Sequence, residues 1–193
     1  MVRRSLVLSL LLLAAMAVPM SASQFIELPF DQVARDATLV VRATVGPVTS
    51  AWDDAHEVIF STARVEVKHY LAGDGPNVLM LREVGGTVDG YTQEAVGFPT
   101  LREGQEVVLF LSKWEDGADW RIHAYNQGKY IVREMHNREL VMHDPVMQGD
   151  DRSPASPRVR SNAIQEAAAL DIDELEQMVR AARQAQSEGP RSH

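Results

Sequence analysis

The chain has 193 residues, a formal net charge of −8 and no cysteine. An acidic chain with no basic run is a poor match for nucleic acid or an anionic membrane surface. Without cysteine there is no disulfide, no cysteine nucleophile and no lipidated N-terminal cysteine, so an apolar core has to hold the fold.

The first residues are Met1-Val2-Arg3-Arg4, followed by the apolar run SLVLSLLLLAAMAV and then PMSAS. A basic start, a short apolar core and small residues at its end predict a secretory signal over 1–23. The apolar run is shorter than the roughly 20 residues that a spanning helix needs, and Pro19 ends it. Cleavage after Ala22 or Ser23 removes Arg3 and Arg4 and leaves an exported chain, periplasmic or extracellular, with no stable membrane anchor.

The segment 28–37, LPFDQVARDA, predicts a short helix that Asp31 can cap. Two runs of period two follow. In TLVVRATV, Leu39, Val41, Ala43 and Val45 share one parity. In EVIFSTARVEVKHYL, Ile59, Ala63, Val65, Val67 and Leu71 share one parity, and Phe60, Thr62, Arg64, Glu66, Lys68 and Tyr70 the other. Alternation of this kind puts one face in a core and the other in water. Asp53-Asp54 marks the hairpin tip between them. NVLMLREV predicts a third strand. EVVLFLSKW is apolar on both parities and predicts the most buried strand. DWRIHAY and KYIVREM predict two further strands around Gln127-Gly128, and HNRELVMH a last hairpin around Asn137. The expected fold is mainly β: a five- to seven-stranded antiparallel barrel spanning 24–143, with a short N-terminal helix.

At Asp144 the composition turns to Pro, Ser and charge, which predicts a flexible linker over 144–165. An amphipathic helix over 166–186 follows, with a capping box of Asp171 and Glu174 and an apolar stripe of Ile172, Leu175, Met178, Val179 and Ala182. The stripe is expected to dock on the barrel; a helix held out for a partner is the alternative. The tail over 187–193 is expected to be disordered.

Between the third strand and the buried strand lies GGTVDGYTQEAVGFPTLREG. A phosphate loop needs its glycines between a strand and a helix N-terminus, and here another strand follows. Gly85-Gly86 predicts a positive-φ exit from the strand, Gly97-Phe98-Pro99 a second bend and Glu103-Gly104 a turn into the buried strand. The result is a long loop with fixed corners, and loops of that length in a compact domain are often functional.

With these segments in view, the order ATLVVRATV, VEVKHYLAGDG, GGTVDG, VGFPTLREGQEVVLFL, NQGKYIV and IDELEQMVRAA resembles a family of small secreted bacterial proteins. Their barrel is similar to the oligonucleotide/oligosaccharide-binding (OB) barrel, in the version found in netrin-type modules and tissue inhibitors of metalloproteinases. The resemblance covers nearly the whole chain after the signal. Gly85-Gly86, Pro99, Gly104 with Phe110, and Gln127-Gly128-Lys129 carry it most specifically. It implies an OB-like barrel and a binding role toward a protein, such as a secreted protease. Those inhibitors reach zinc through an N-terminal cysteine, which this chain lacks, so that mechanism does not carry over.

Chemistry-bearing clusters are sparse. His136 and His143 are candidate metal ligands only if a hairpin around Asn137 joins them. Asp53, Asp54, His56 and Glu57 form a polar loop tip, and His69 has the inward parity of its strand. No G-x-S-x-G elbow occurs. Asp89 and Glu94 are the carboxylate pair to inspect for hydrolysis. Trp52, Tyr91, Phe98 and Trp114 lie in or beside loops; Phe98 and Trp114 are expected to pack as barrel plugs, and Tyr91 to stand at the surface. The expected binding surface is therefore Gly85, Gly86, Tyr91, Phe98 and Trp52, in a non-catalytic module without a cofactor. A hydrolytic enzyme, or a sugar- or peptide-binding barrel, are the alternatives.

Overall fold

The computed structural model describes residues 27–95, 97–143 and 169–187. The expected signal over 1–23, the linker over 144–165 and the tail beyond 187 lie outside the described residues.

The described chain is mainly β. In order it forms α1 (Phe30–Asp36), β1 (Leu39–Trp52), β2 (Ile59–Ala72), β3 (Val78–Val84), β4 (Gly86–Val88) and β5 (Tyr91–Gln93). Then come β6 (Glu106–Lys113), β7 (Trp120–Ile122), a 3-10 turn (Tyr125–Gly128), β8 (Lys129–Met135), β9 (Arg138–His143), β10 (Leu170–Asp171) and α2 (Ile172–Ser187). Eight strands make one sheet in the order β1-β2-β3-β7-β6-β8-β9-β10, and β1 also pairs with β6. The sheet is mixed, not antiparallel throughout as expected, because β7 runs parallel to β3 through the pair Leu81 and Trp120. It also holds more strands than the five to seven expected. One edge of β6 is shared: Leu111–Lys113 pair with β7, and Val107–Leu109 pair with β8. The 3-10 turn carries the chain between those two positions.

Two apolar clusters cover both faces of β6 and of the inner part of β1. Leu39, Val41, Ala43 and Val45 join Val107, Leu109 and Leu111 in one cluster. Val40, Val108 and Phe110 point the other way, into a second cluster with Val33 of α1 and Leu175 and Val179 of α2. Val107 through Leu111 are all fully buried, as the two-sided apolar pattern predicts. α2 docks through the expected stripe, with Leu175 and Val179 at 0 % exposure. Arg183 donates from Nη2 to the Ala37 carbonyl, tying α2 to the end of α1.

Several local expectations need correction. Asp31 does not cap α1; Pro29 occupies the cap position and Asp31 sits in the first turn. Asp171 does cap α2, accepting from the Asp173 amide at 3.1 Å while pairing in β10. The parity of β2 breaks at Lys68. Arg42 opposes His69 and Ala43 opposes Val67, so Lys68 is the extra residue of a bulge. Beyond it the faces exchange: Tyr70 packs on the inner cluster and Leu71 joins the helix-side cluster. His69 accordingly faces outward, 3.6 Å from Glu176 of α2.

The motif Gln127-Gly128-Lys129 is structural. Gln127 Oε1 accepts from the Leu28 amide at 2.8 Å. A Cβ on Gly128 would fall on the His123 carbonyl oxygen, so only glycine fits. Lys129 is fully buried, and its Nζ donates to the Thr100 carbonyl and to Gln105 Oε1.

Candidate functional site

The β1–β2 hairpin extends beyond the part of β1 that pairs with β6, from Val48 to Trp52 opposite Ile59 to Ala63. Its tip is fastened by Asp53. The Asp53 carboxylate accepts from the Glu57 and Val58 amides at 2.8 and 3.0 Å, and the Asp53 amide donates to the Val58 carbonyl at 2.8 Å. Those amides hold the carboxyl below its ordinary range. The polar cluster of Asp53, Asp54, His56 and Glu57 is thus a built turn, and His56 adopts a left-handed φ of 57° within it.

The glycine-rich stretch is not only a loop. Gly85 and Gly86, at φ 107° and 144°, turn the chain out of β3 into the β4–β5 hairpin. Asp89 and Gly90 at its tip have φ 50° and 82°, the left-handed pair of a two-residue hairpin turn. This hairpin is seated on the end of the β1–β2 hairpin. Ser61 Oγ donates to the Gly85 carbonyl at 2.6 Å and lies 3.0 Å from Ser50 Oγ. A Cβ on Gly86 would lie 2.5 Å from both hydroxyls, so close approach excludes any larger residue. Gln93 Oε1 accepts from the Ile59 amide, anchoring the return strand.

The two hairpins bring together residues 39 positions apart. The Tyr91 and Trp52 rings meet at 5.3 Å with an interplanar angle of 37°. His56 stacks on Trp52 at 6.1 Å and 10°. Tyr91 remains 59 % exposed. Of the expected surface, Trp52, Tyr91, Gly85 and Gly86 assemble here. Phe98 does not: it packs edge-on against Tyr125 at 4.8 Å, where the Asn126 amide reaches the Gly97 carbonyl.

Trp114 is not a plug of the inner cluster. It is half-buried, its Nε1 donates to the Arg82 carbonyl at 2.8 Å, and the guanidinium groups of Arg82 and Arg121 lie over its ring. His136 and His143 stay apart. His136 sits in the β8–β9 turn at φ 53°, whereas His143 ends β9 and lies 4.1 Å from the Tyr130 ring. Among the described residues no group of three or more histidines and carboxylates is arranged to hold a metal. Asp89 and Glu94 are both exposed, one at the hairpin tip and the other past β5.

Sequence reasoning missed one titratable group, Glu83. It is 4 % exposed, and its carboxyl accepts from the Ile122 amide of β7. Burial pushes its carboxyl up to about 8. The signal was present, because Glu83 has the same parity as the buried Leu79 and Leu81.

No known protein-family model matches the chain, and no curated protein matches it in sequence. Among the described residues no helix is long and apolar enough to cross a membrane.

Proposed function

We propose that the chain is an exported, non-catalytic binding module whose working surface is the Trp52–Tyr91 platform and whose ligand is a protein. The observation that carries this reading is a tyrosine 59 % exposed yet held against a tryptophan by two fastened hairpins. Rigid exposed aromatics are the usual anchors of protein interfaces, because they bring large contact area with few rotamers to freeze.

We also propose that the sheet closes into an OB-like barrel. The pairings run β1–β2–β3–β7–β6 and return to β1, which supports an OB-like barrel. A parallel β3–β7 contact within an otherwise antiparallel circuit supports it further. The link to netrin-type modules and to a secreted protease partner rests on resemblance, and fold alone does not assign function. Export rests on residues 1–23: N-terminal sequencing of exported protein should begin near Ser23 or Gln24, and a chain retaining 1–20 contradicts it.

Capture from the native secreted fraction tests the binding reading. A partner retained by the wild type should be released by Tyr91→Ala, with binding weaker by about 1–2 kcal/mol and an unchanged melting temperature. Equal capture by both proteins contradicts it.

A further inference from the structure

We propose that the Trp52–Tyr91 platform seats a cationic side chain, arginine or lysine, presented by a basic segment of the protein partner. This inference rests on the platform being the working surface and adds the chemistry of what it takes.

Two independent observations lead to it. The first is the aromatic geometry. The negative face of an aromatic ring attracts a cation within about 6 Å of its centroid. Tyr91 packs on Trp52 at 5.3 Å and 37° and remains 59 % exposed, so its ring is open to a ligand. Elsewhere the protein uses the same pairing internally, with Arg82 over Phe60 and Trp114 and Lys113 over Trp120. Among the described residues, no lysine or arginine lies over the Trp52 or Tyr91 ring.

The second observation is unmatched charge. The two hairpins that carry the platform hold Asp53, Asp54, Glu57, Asp89 and Glu94, and no lysine or arginine occurs over 51–63 or 83–101. Several carboxylates elsewhere are matched, among them Glu106 and Glu139 by Arg42, Asp116 by Arg82, and Asp171 by Arg138. Among the described residues, no lysine or arginine forms an ion pair with any of the five hairpin carboxylates. An acidic or anionic partner is repelled by this field, whereas a basic segment is steered into it and gains from every carboxylate it approaches. The ammonium or guanidinium then rests on Tyr91, within the negative field of the two hairpins.

The test uses the purified protein and synthetic octapeptides of alternating glycine with arginine, glutamine or glutamate, with binding followed by calorimetry. The arginine peptide should bind at least about tenfold more tightly than the glutamine peptide, and the glutamate peptide should not bind. Affinity should fall between about 50 and about 300 mM salt, as exposed charges are screened. Tyr91→Leu keeps apolar area but removes the ring face, and should weaken the arginine peptide about tenfold. Neutralising the hairpins in the variant D54N/E57Q/D89N/E94Q should do the same, and asparagine at 89 tolerates the left-handed turn. Equal binding of the arginine and glutamine peptides, no binding of either, or wild-type affinity in the neutralised variant overturns the inference. If the natural partner is still lost on replacing 87–95 while the arginine peptide fails, the cation inference falls and the platform reading stands. If partner capture is untouched by that replacement, the platform reading itself falls.

Discussion

The buried carboxyl of Glu83 accepts a hydrogen bond from the backbone amide of Ile122, joining β3 to β7. The ladder between those strands consists of one pair, Leu81 with Trp120. The Glu83 side chain therefore supplies a second link across the seam. Its burial is tolerable because the carboxyl is neutral at pH 7, pushed up to about 8 by desolvation, against which the Ile122 amide and nearby Arg121 work only in part.

That arrangement predicts a pH dependence of stability. The folded state holds the Glu83 proton up to about pH 8, while the unfolded chain releases it near the ordinary glutamate value of 4.5. Between these values the folded state binds more protons, so stability falls as pH rises, on the order of 1 kcal/mol per pH unit. His123, held below its ordinary range by burial, acts in the opposite direction below pH 6.5. Comparison with Glu83→Gln isolates the carboxyl. Thermal melts from pH 5 to 8 should show the difference between variant and wild type moving in favour of the variant as pH rises. A constant difference contradicts a raised Glu83.

The docking of α2 predicts a second outcome. Leu175 is fully buried against the helix-side cluster. Leu175→Ala should cost about 2–4 kcal/mol, read from denaturant unfolding. Exposed Gln177 on the same helix is the control, and Gln177→Lys should change stability by less than about 0.5 kcal/mol. Glu176 is a poor control, because it pairs with both His69 and Arg180. Equal, small effects at 175 and 177 would mean that the helix is not docked.

Glycines in the candidate site should separate by their surroundings. Gly90 has φ 82° but nothing within 4 Å of a Cβ, so Gly90→Ala should cost about 1 kcal/mol, the strain of the left-handed backbone alone. Gly86 adds close contact with Ser50 and Ser61 to an unfavourable φ of 144°, so Gly86→Val should cost several-fold more and unseat the β4–β5 hairpin. Chemical denaturation of the two variants checks the order. A reversal would mean that the hairpin does not rest on those serines.

Much of this fold is written locally. β6 is apolar on both parities because it is covered on both faces, and the α2 stripe has the helical period of its buried residues. The β4–β5 hairpin was also legible in Asp89-Gly90, a two-residue turn signal, but its three-residue strands are too short for periodicity to reveal. The bulge at Lys68 is different. Nothing in VEVKHYL marks it, because it follows from the register of β2 against Arg42 and Ala43 of the preceding strand. Capping shows the same limit: Asp31 and Asp171 are equally good caps by type, yet only Asp171 sits at a helix start whose amide it reaches. The platform was legible as residues but not as a pair. Which aromatic meets Trp52 depends on where Gly85 and Gly86 aim the next hairpin, and Phe98, of similar character, is carried instead to Tyr125.

Replacing residues 87–95 with a Gly-Ser linker, and measuring the affinity of the partner captured by the wild type, tests the proposed binding role most directly. The replacement removes Tyr91 and the β4–β5 hairpin but leaves both apolar clusters intact. The platform reading predicts binding weakened at least about a hundredfold, as several anchors and their frame go together. Unchanged affinity would contradict it. So would a substrate turned over by the pure wild-type protein with activity lost on changing Asp89 or Glu94 to alanine.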